Sequence, residues 1–305
     1  MNTLLEVLSP DFLLRNSVYV SLLVGFACPL VGVFLVLRRL IFLGVALPQI
    51  SATGIAFALS MHVWLGHGGD SHGEDQQTLA FVGSIAFTVL AILWLALLEK
   101  RGRGLVEGRL GTAYVVASAA SILLLSKCPV AERGWMGLLK GEIIAISHGD
   151  LTLTFVSFAV VLLMLWLFNR EFMLVSFDRE MAITLRRRVL VWDILLYSLI
   201  GLTVAISVLS VGPLIAFGFL LIPPLIARQF ARNMGQFVVI ASLIGGVTAL
   251  TGFCVAYRLD LPVGPADVML LGVLYALAFV VKHGLARWGA PPQAPAAAAG
   301  PSGLS

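Results

Sequence analysis

Three stretches of this 305-residue chain carry side chains that could do chemistry. The first is 66–77, GHGGDSHGEDQQ, where His67, Asp70, His72 and Glu74 stand within a few residues of one another. Imidazole and carboxylate together suit zinc, and suit harder cations less well. The same composition also makes a plain solvated linker. The second is IFLGVALPQISATGIAFAL (41–59), an apolar run interrupted by Pro48, Gln49, Ser51 and Thr53. Val45, Gln49 and Thr53 are four apart and share one helix face. Polar groups in such a run line a pathway or bond to a neighbouring helix. The third is REFMLVSFDREMAITLRRRVLVWD (170–193), which mixes Phe172, Leu174, Phe177, Met181 and Ile183 with arginines. That mixture suits a short helix docking on a soluble partner, or a solvated loop held at the lipid headgroups.

Other chemistries lack their residues. There is no GxxxxGK[ST] phosphate loop and no HExxH, and Gly102, Gly104 and Gly108 do not have dinucleotide-fold spacing. Cys28, Cys128 and Cys254 form no CxxC and no disulfide framework. The chain is therefore expected to be no enzyme and to bind no cofactor of its own.

The elements that must position these residues are membrane helices. Hydrophobic residues make up 59% of the chain, charged residues 12%, and mean hydropathy is +1.00. Soluble domains are about 45–50% apolar and about 25% charged, so lipid is the expected solvent. Nine runs are long enough to cross a bilayer: 16–37, 41–65, 78–98, 110–127, 151–169, 192–211, 213–230, 236–257 and 266–282. The expectation is an all-α, polytopic integral membrane protein with eight or nine spans. The near-continuous run 192–230 must turn back at Gly212-Pro213. Pro213, Pro223 and Pro224 predict broken helix in the following span, with a simple kink as the alternative. Ala113, Ala117 and Ser121 let span four approach a neighbour closely.

Alternate loops differ in charge. One set holds Arg38, Arg39, Lys100, Arg101, Arg103, Arg109, the arginines of 170–188, Arg228, Arg232, Lys282 and Arg287. The other holds only Arg15, Lys127, Arg133, Lys140 and Arg258. The richer set is expected inside. The N-terminus and the 66–77 loop then lie outside, and the C-terminus is cytoplasmic. Met1–Arg15 carries Glu6 and Asp11, unlike a cleaved signal. Residues 1–289 are read as one transmembrane domain and 290–305 as a disordered Pro/Ala tail.

Several segments resemble the permease subunits of zinc, manganese and iron ABC importers. FDREMAITLRRRVLVWD is similar to that family's FD…A…G…D cytoplasmic segment. SVGPLIAFGFLLIPPLIARQFAR resembles its VG–L–ALL–IPAATAR stretch, and YRLDLPVGPADVML its closing D-P-G element. RRLIFLGVALPQISATGIAFAL aligns with R-x-L-x-x-G-D-A-L-S-H-A-x-x-P-G, and LLKGEIIAISHGDL with F-G-x-I-L-x-V-S-x-x-D-L.

The resemblance implies a homodimeric permease in a prokaryotic cytoplasmic (inner) membrane. Cytoplasmic ATPase subunits would dock on 170–193 and hydrolyse the ATP. An extracytoplasmic metal-binding protein would deliver a divalent metal, and no nucleic acid is involved. Phe177, Asp178 and Ala182 stand at the docking positions, with Arg186, Arg187 and Arg188 beside them. The family carries Gly where this chain has an arginine near Arg186. Its Asp/His metal pair falls on Val45 and Gln49 here, and its Ser on Pro48. Valine cannot ligate, and a neutral amide is a poor zinc ligand. The implied cargo is a divalent metal, with a chelate or small organic ligand as the alternative.

Overall fold

The computed structural model describes residues 14–64, 73–100, 106–126, 148–177 and 179–288. The candidate metal loop at His67, Asp70 and His72, the candidate docking residue Asp178 and the tail lie outside them, as does the side chain of Glu74. The described residues are almost wholly helical. The helices are α1 (Arg15–Leu37), α2 (Ile41–Trp64), α3 (Gly73–Lys100), α4 (Val106–Ser126), α5 (His148–Leu167), α6 (Asn169–Phe177), α7 (Arg179–Thr184), α8 (Val189–Val211), α9 (Pro213–Phe230), α10 (Met234–Leu259) and α11 (Val263–Trp288).

Each of the nine apolar runs falls on one of these helices. Seven of the helices are long and apolar enough to cross a membrane, and up to eight spans result if the bent α5–α6 pair counts as one. A helix of 23 residues, such as α1, is about 35 Å long at 1.5 Å per residue, matching a hydrocarbon core of about 30 Å with some tilt. Within α3, the apolar stretch Thr78–Trp94 is shorter.

The bundle is built around α1 and α8. α1 packs on α10, α9, α8 and α5, and α8 packs on α3, α2, α5, α6 and α9. Both are apolar round their whole circumference, as buried helices must be. α4 and α11 lie at the rim and turn Val115, Val116, Leu123, Met269, Leu277 and Val280 outward. In water such a surface would drive aggregation; in a bilayer it is the correct solvent face.

Buried hydroxyls stitch the helices together. Cys28 Sγ of α1 lies 3.1 Å from Ser207 Oγ of α8, whose hydroxyl is 2.7 Å from the Thr203 carbonyl oxygen. Thr154 of α5 and Ser210 of α8 share a 3.0 Å bond. Bonds of this kind between membrane helices contribute about 0.6 kcal/mol each on average.

The α8–α9 turn falls at Gly212-Pro213 as read from the sequence. Gly212 takes φ +87°, and Pro213 opens α9, where a missing N–H costs nothing. The expected break at Pro223-Pro224 is corrected: α9 runs unbroken from Pro213 to Phe230. Pro224 cannot donate to the Leu220 carbonyl. That oxygen instead faces Gly32 of α1, where no side chain intervenes. Close packing of α1 thus replaces the water-filled path that would otherwise have to receive a freed carbonyl.

α2 and α3 approach most closely at Gly54 and Gly83. A Cβ on Gly83 would lie 2.5 Å from the Gly54 carbonyl oxygen and 2.6 Å from Ala58 Cβ. This contact fixes α2, which carries the candidate pathway residues.

Candidate functional site

α2 presents its polar residues on two faces. Gln49 and Thr53 face α4. The Thr53 hydroxyl lies 2.7 Å from the carbonyl oxygen of Ala117 and 2.8 Å from that of Gln49, so one proton serves two acceptors. The Gln49 amide reaches Ser121 Oγ at 3.5 Å, a long bond at the edge of hydrogen-bond range. Ala117 and Ser121 belong to the small-residue stripe of α4, which packs against α2 of the same chain. Ser51 points elsewhere. Its hydroxyl is 2.6 Å from Ser84 Oγ of α3, and Ser84 in turn donates to the Ala205 carbonyl of α8 at 3.2 Å. Pro48 is buried between these faces, and Gln49 is half-buried.

The four residues read as a pathway are therefore not one cluster. Ser51 and Thr53 are satisfied by neighbouring helices, while Gln49 alone keeps a weak bond and partial exposure. Of the four, only Gln49 offers a side chain that can turn to a solute without first breaking a short bond. Among the described residues no group of three or more His, Cys, Asp or Glu side chains could hold a metal ion.

The segment 170–193 is folded rather than extended. α5 and α6 meet at a 69° bend, and α7 follows. α6 buries Phe172 and Val175 and leaves Phe177 61% exposed. Ala182 is fully buried with Val175 and Val189. It meets its own chain rather than a partner and can affect docking only by seating α7. Arg186, Arg187 and Arg188 are exposed, and Arg187 pairs with Glu171 at 3.3 Å. Arg186 has φ +55° and closes the end of α7 through a bond from its N–H to the Ile183 carbonyl. Left-handed backbone favours glycine and costs other L-residues roughly 1–2 kcal/mol. The family's glycine near this position is thus replaced by an arginine that keeps the turn under strain.

Two charged features escaped the sequence reading. Arg38 and Asp193 form a buried ion pair at 2.6 Å. Arg38 read as a flanking charge and Asp193 as the last residue of the FD…A…G…D resemblance, and nothing joined them, since the partners are 155 residues apart. Asp267, in the first turns of α11, is fully buried against Gly252 of α10, and neither carboxylate oxygen has a hydrogen-bond partner among the described residues. Its position inside an apolar run was the only available signal. An unsatisfied buried polar group costs about 1–3 kcal/mol. Asp267→Ala, which removes both unpartnered oxygens, is expected to raise the detergent melting midpoint by several degrees. A lower midpoint in differential scanning fluorimetry would show that the carboxylate has a stabilising partner.

The family model described as the ABC 3 transport family matches residues 11–282. The chain belongs to that family. The match bears out the resemblance read from the motifs. One curated relative is "Manganese transport system membrane protein MntC" of Listeria monocytogenes, 24% identical over 283 residues, covering 92% of this chain and 95% of the relative. Another is "Probable iron transport system membrane protein" of Haemophilus influenzae, 27% identical over 289 residues, covering 93% and 96%. Among solved structures, PsaBC from Streptococcus pneumoniae in complex with Fab superposes with a TM-score of 0.74 at 22% identity, covering 88% of this chain and 92% of that one. At that identity the superposition establishes the fold. This ABC-family chain is thus a helical, multi-pass membrane protein throughout its matched length.

Proposed function

We propose that the chain is the membrane-spanning subunit of an ATP-driven importer for a divalent metal ion. The observation that carries this reading is the family match over residues 11–282, joined by relatives whose names refer to manganese and iron transport. Two copies would form the permease in a prokaryotic inner membrane, surrounded by lipid, with the N-terminus outside and the C-terminus in the cytoplasm. Two ATPase subunits would bind the 170–193 segments and supply the ATP chemistry. A metal-binding protein outside would deliver the ion, and the 66–77 loop would face it. Closure of the ATPase pair would move α6 and α7, and the helix bundle would open the Gln49 face of α2 to one side at a time. The weak Gln49–Ser121 contact supports this, since a transient contact to cargo needs a side chain that is not already committed.

The test is reconstitution with the ATPase and measurement of ATP-dependent uptake of manganese(II), zinc(II) and iron(II) into liposomes. Accumulation of none of them would end the metal reading. A chelate or small organic ligand is the second reading, and the Val45/Gln49 pair favours it because neither side chain is a good metal ligand. Uptake of a chelated metal without uptake of the free ion would select it.

Docking has its own test. Arg186, Arg187 and Arg188 are exposed together at the end of α7. Reversing all three to glutamate should weaken ATPase association at least tenfold, or about 1.4 kcal/mol. Co-purification and titration by light scattering would measure it. Arg186→Gly, which suits the left-handed turn, is the control for backbone effects. Unchanged affinity in the triple variant would remove the arginines from the interface.

A further inference from the structure

Both described side-chain hydrogen bonds of the α1–α2 turn to other elements come from one side chain. Arg38 stands in the three-residue turn between α1 and α2. The backbone there is closed by bonds from Arg38 N–H to the Phe34 carbonyl, Arg39 N–H to Val36 and Leu40 N–H to Leu35. Arg39 takes φ +58°. The turn has no slack, so the position of Arg38 sets the position of the inner end of α2.

The guanidinium holds two other elements at once. Nη1 donates to Asp193 Oδ1 of α8 at 2.6 Å, and Nε donates to Ser176 Oγ of α6 at 3.0 Å. The guanidinium carbon lies 5.3 Å from the centre of the Tyr197 ring. The pair is buried, with side-chain exposures of 8% and 6%. Beside it, Phe34, Phe172 and Trp192 pack edge to face, with centroids 6.2 Å and 5.9 Å apart, and so join α1, α6 and α8. α7, which carries the exposed docking surface, packs on α6 and α8. A push on α7 therefore enters the bundle through the two helices that Arg38 clasps.

A buried ion pair is a poor way to gain stability, since apolar residues of similar volume do as well or better. Its physical advantage is geometric: a guanidinium fork fixes direction as well as distance. We propose that Arg38 is the positioning residue that relays movement of the cytoplasmic segment to α2, the helix bearing Gln49. The inference rests on the ATPase-driven reading above and adds the residue through which the drive reaches the pathway.

The experiment uses the full chain assembled with its ATPase. In a Cys128→Ser background, an environment-sensitive maleimide dye is placed at Met181→Cys on α7 or at Phe42→Cys on α2. Both sites are exposed, and Cys28 and Cys254 are buried. In the unaltered relay, ATP should change the signal at both sites. With Arg38→Lys, which keeps a charge for Asp193 but lacks the fork, the α7 response should persist and the α2 response should fall at least fivefold. Ser176→Ala, which removes only the α6 arm and disturbs the fold little, should lower the α2 response about threefold. Equal responses at α2 in both variants and the parent would overturn the relay. So would a proportional loss at both sites, which is what a purely structural role predicts. If ATP moves neither dye in the parent, the ATPase-driven reading fails first, and the relay with it.

Discussion

Gly54→Val is expected to unseat α2 and abolish transport. A Cβ at this position would collide with the carbonyl oxygen of Gly83 and come within 2.8 Å of Phe87 Cβ. One of these obstacles is backbone, so no rotamer change relieves it; the helices must separate. Overpacking a core by a methyl group costs about 1–3 kcal/mol, more when side chains cannot yield. Valine adds two further methyls. A loss of about 3 kcal/mol or more corresponds to roughly 6–12 °C in melting midpoint for a domain of a few hundred residues. Separation would also break the 2.6 Å Ser51–Ser84 bond in the same seam. Gly83→Val should behave alike. The double variant should cost less than the two single losses together, because both open one interface. Gly111→Ala is the control: among the described residues nothing lies within 4 Å of a Cβ there, so alanine should melt at or slightly above the parent. A Gly54→Val protein that melts with the parent would show that α2 and α3 are not packed this closely.

What the sequence made legible follows from which forces are local. Lipid demands continuous apolar runs, so every span was visible as hydropathy. A turn at Gly212-Pro213 needs a left-handed residue and then a helix start, and both are written in adjacent letters. The Ala113–Ala117–Ser121 stripe announced a close helix neighbour. Its identity as α2 needed coordinates. Proline was a poorer guide. Pro223 and Pro224 signalled a break, yet packing against Gly32 absorbs the lost bond at Leu220. The pathway residues illustrate a different limit. Ser51 lies two positions from Gln49 and Thr53, so period alone places it on another face, but only the fold reveals that Ser84 satisfies it. Arg38 and Asp193 were hidden for a further reason. Arginines and aspartates at helix ends are common in membrane loops, and nothing local distinguishes a pair that meets across the bundle from one that faces water.

The second large effect is a gain. Val45→Asp together with Gln49→His restores the carboxylate and imidazole of the family motif on one face of α2. Both positions are half-buried, and Gln49 faces α4 through a contact no shorter than 3.5 Å. Residues four apart on a helix stand close enough to share one ion. A carboxylate and a neutral imidazole are good ligands for zinc and manganese, and valine and an amide are not. The double variant should therefore bind zinc(II) at least tenfold more tightly than the parent, a gain of about 1.4 kcal/mol, measured by competition with a chelating dye. Neither single variant should suffice, because one added ligand leaves the ion short of partners. Val45→Asp alone should also melt lower, having placed an unpaired carboxylate in apolar surroundings. The size of the gain discriminates between the two cargo readings. If the parent moves free metal through weak contacts, a tight site on α2 should slow its release and lower turnover while raising affinity. If the parent moves a chelate, the charged pair should disfavour that larger cargo while admitting the bare ion. Binding unchanged by the double substitution would mean that this face of α2 does not open to solutes, and the pathway would have to be sought on another helix.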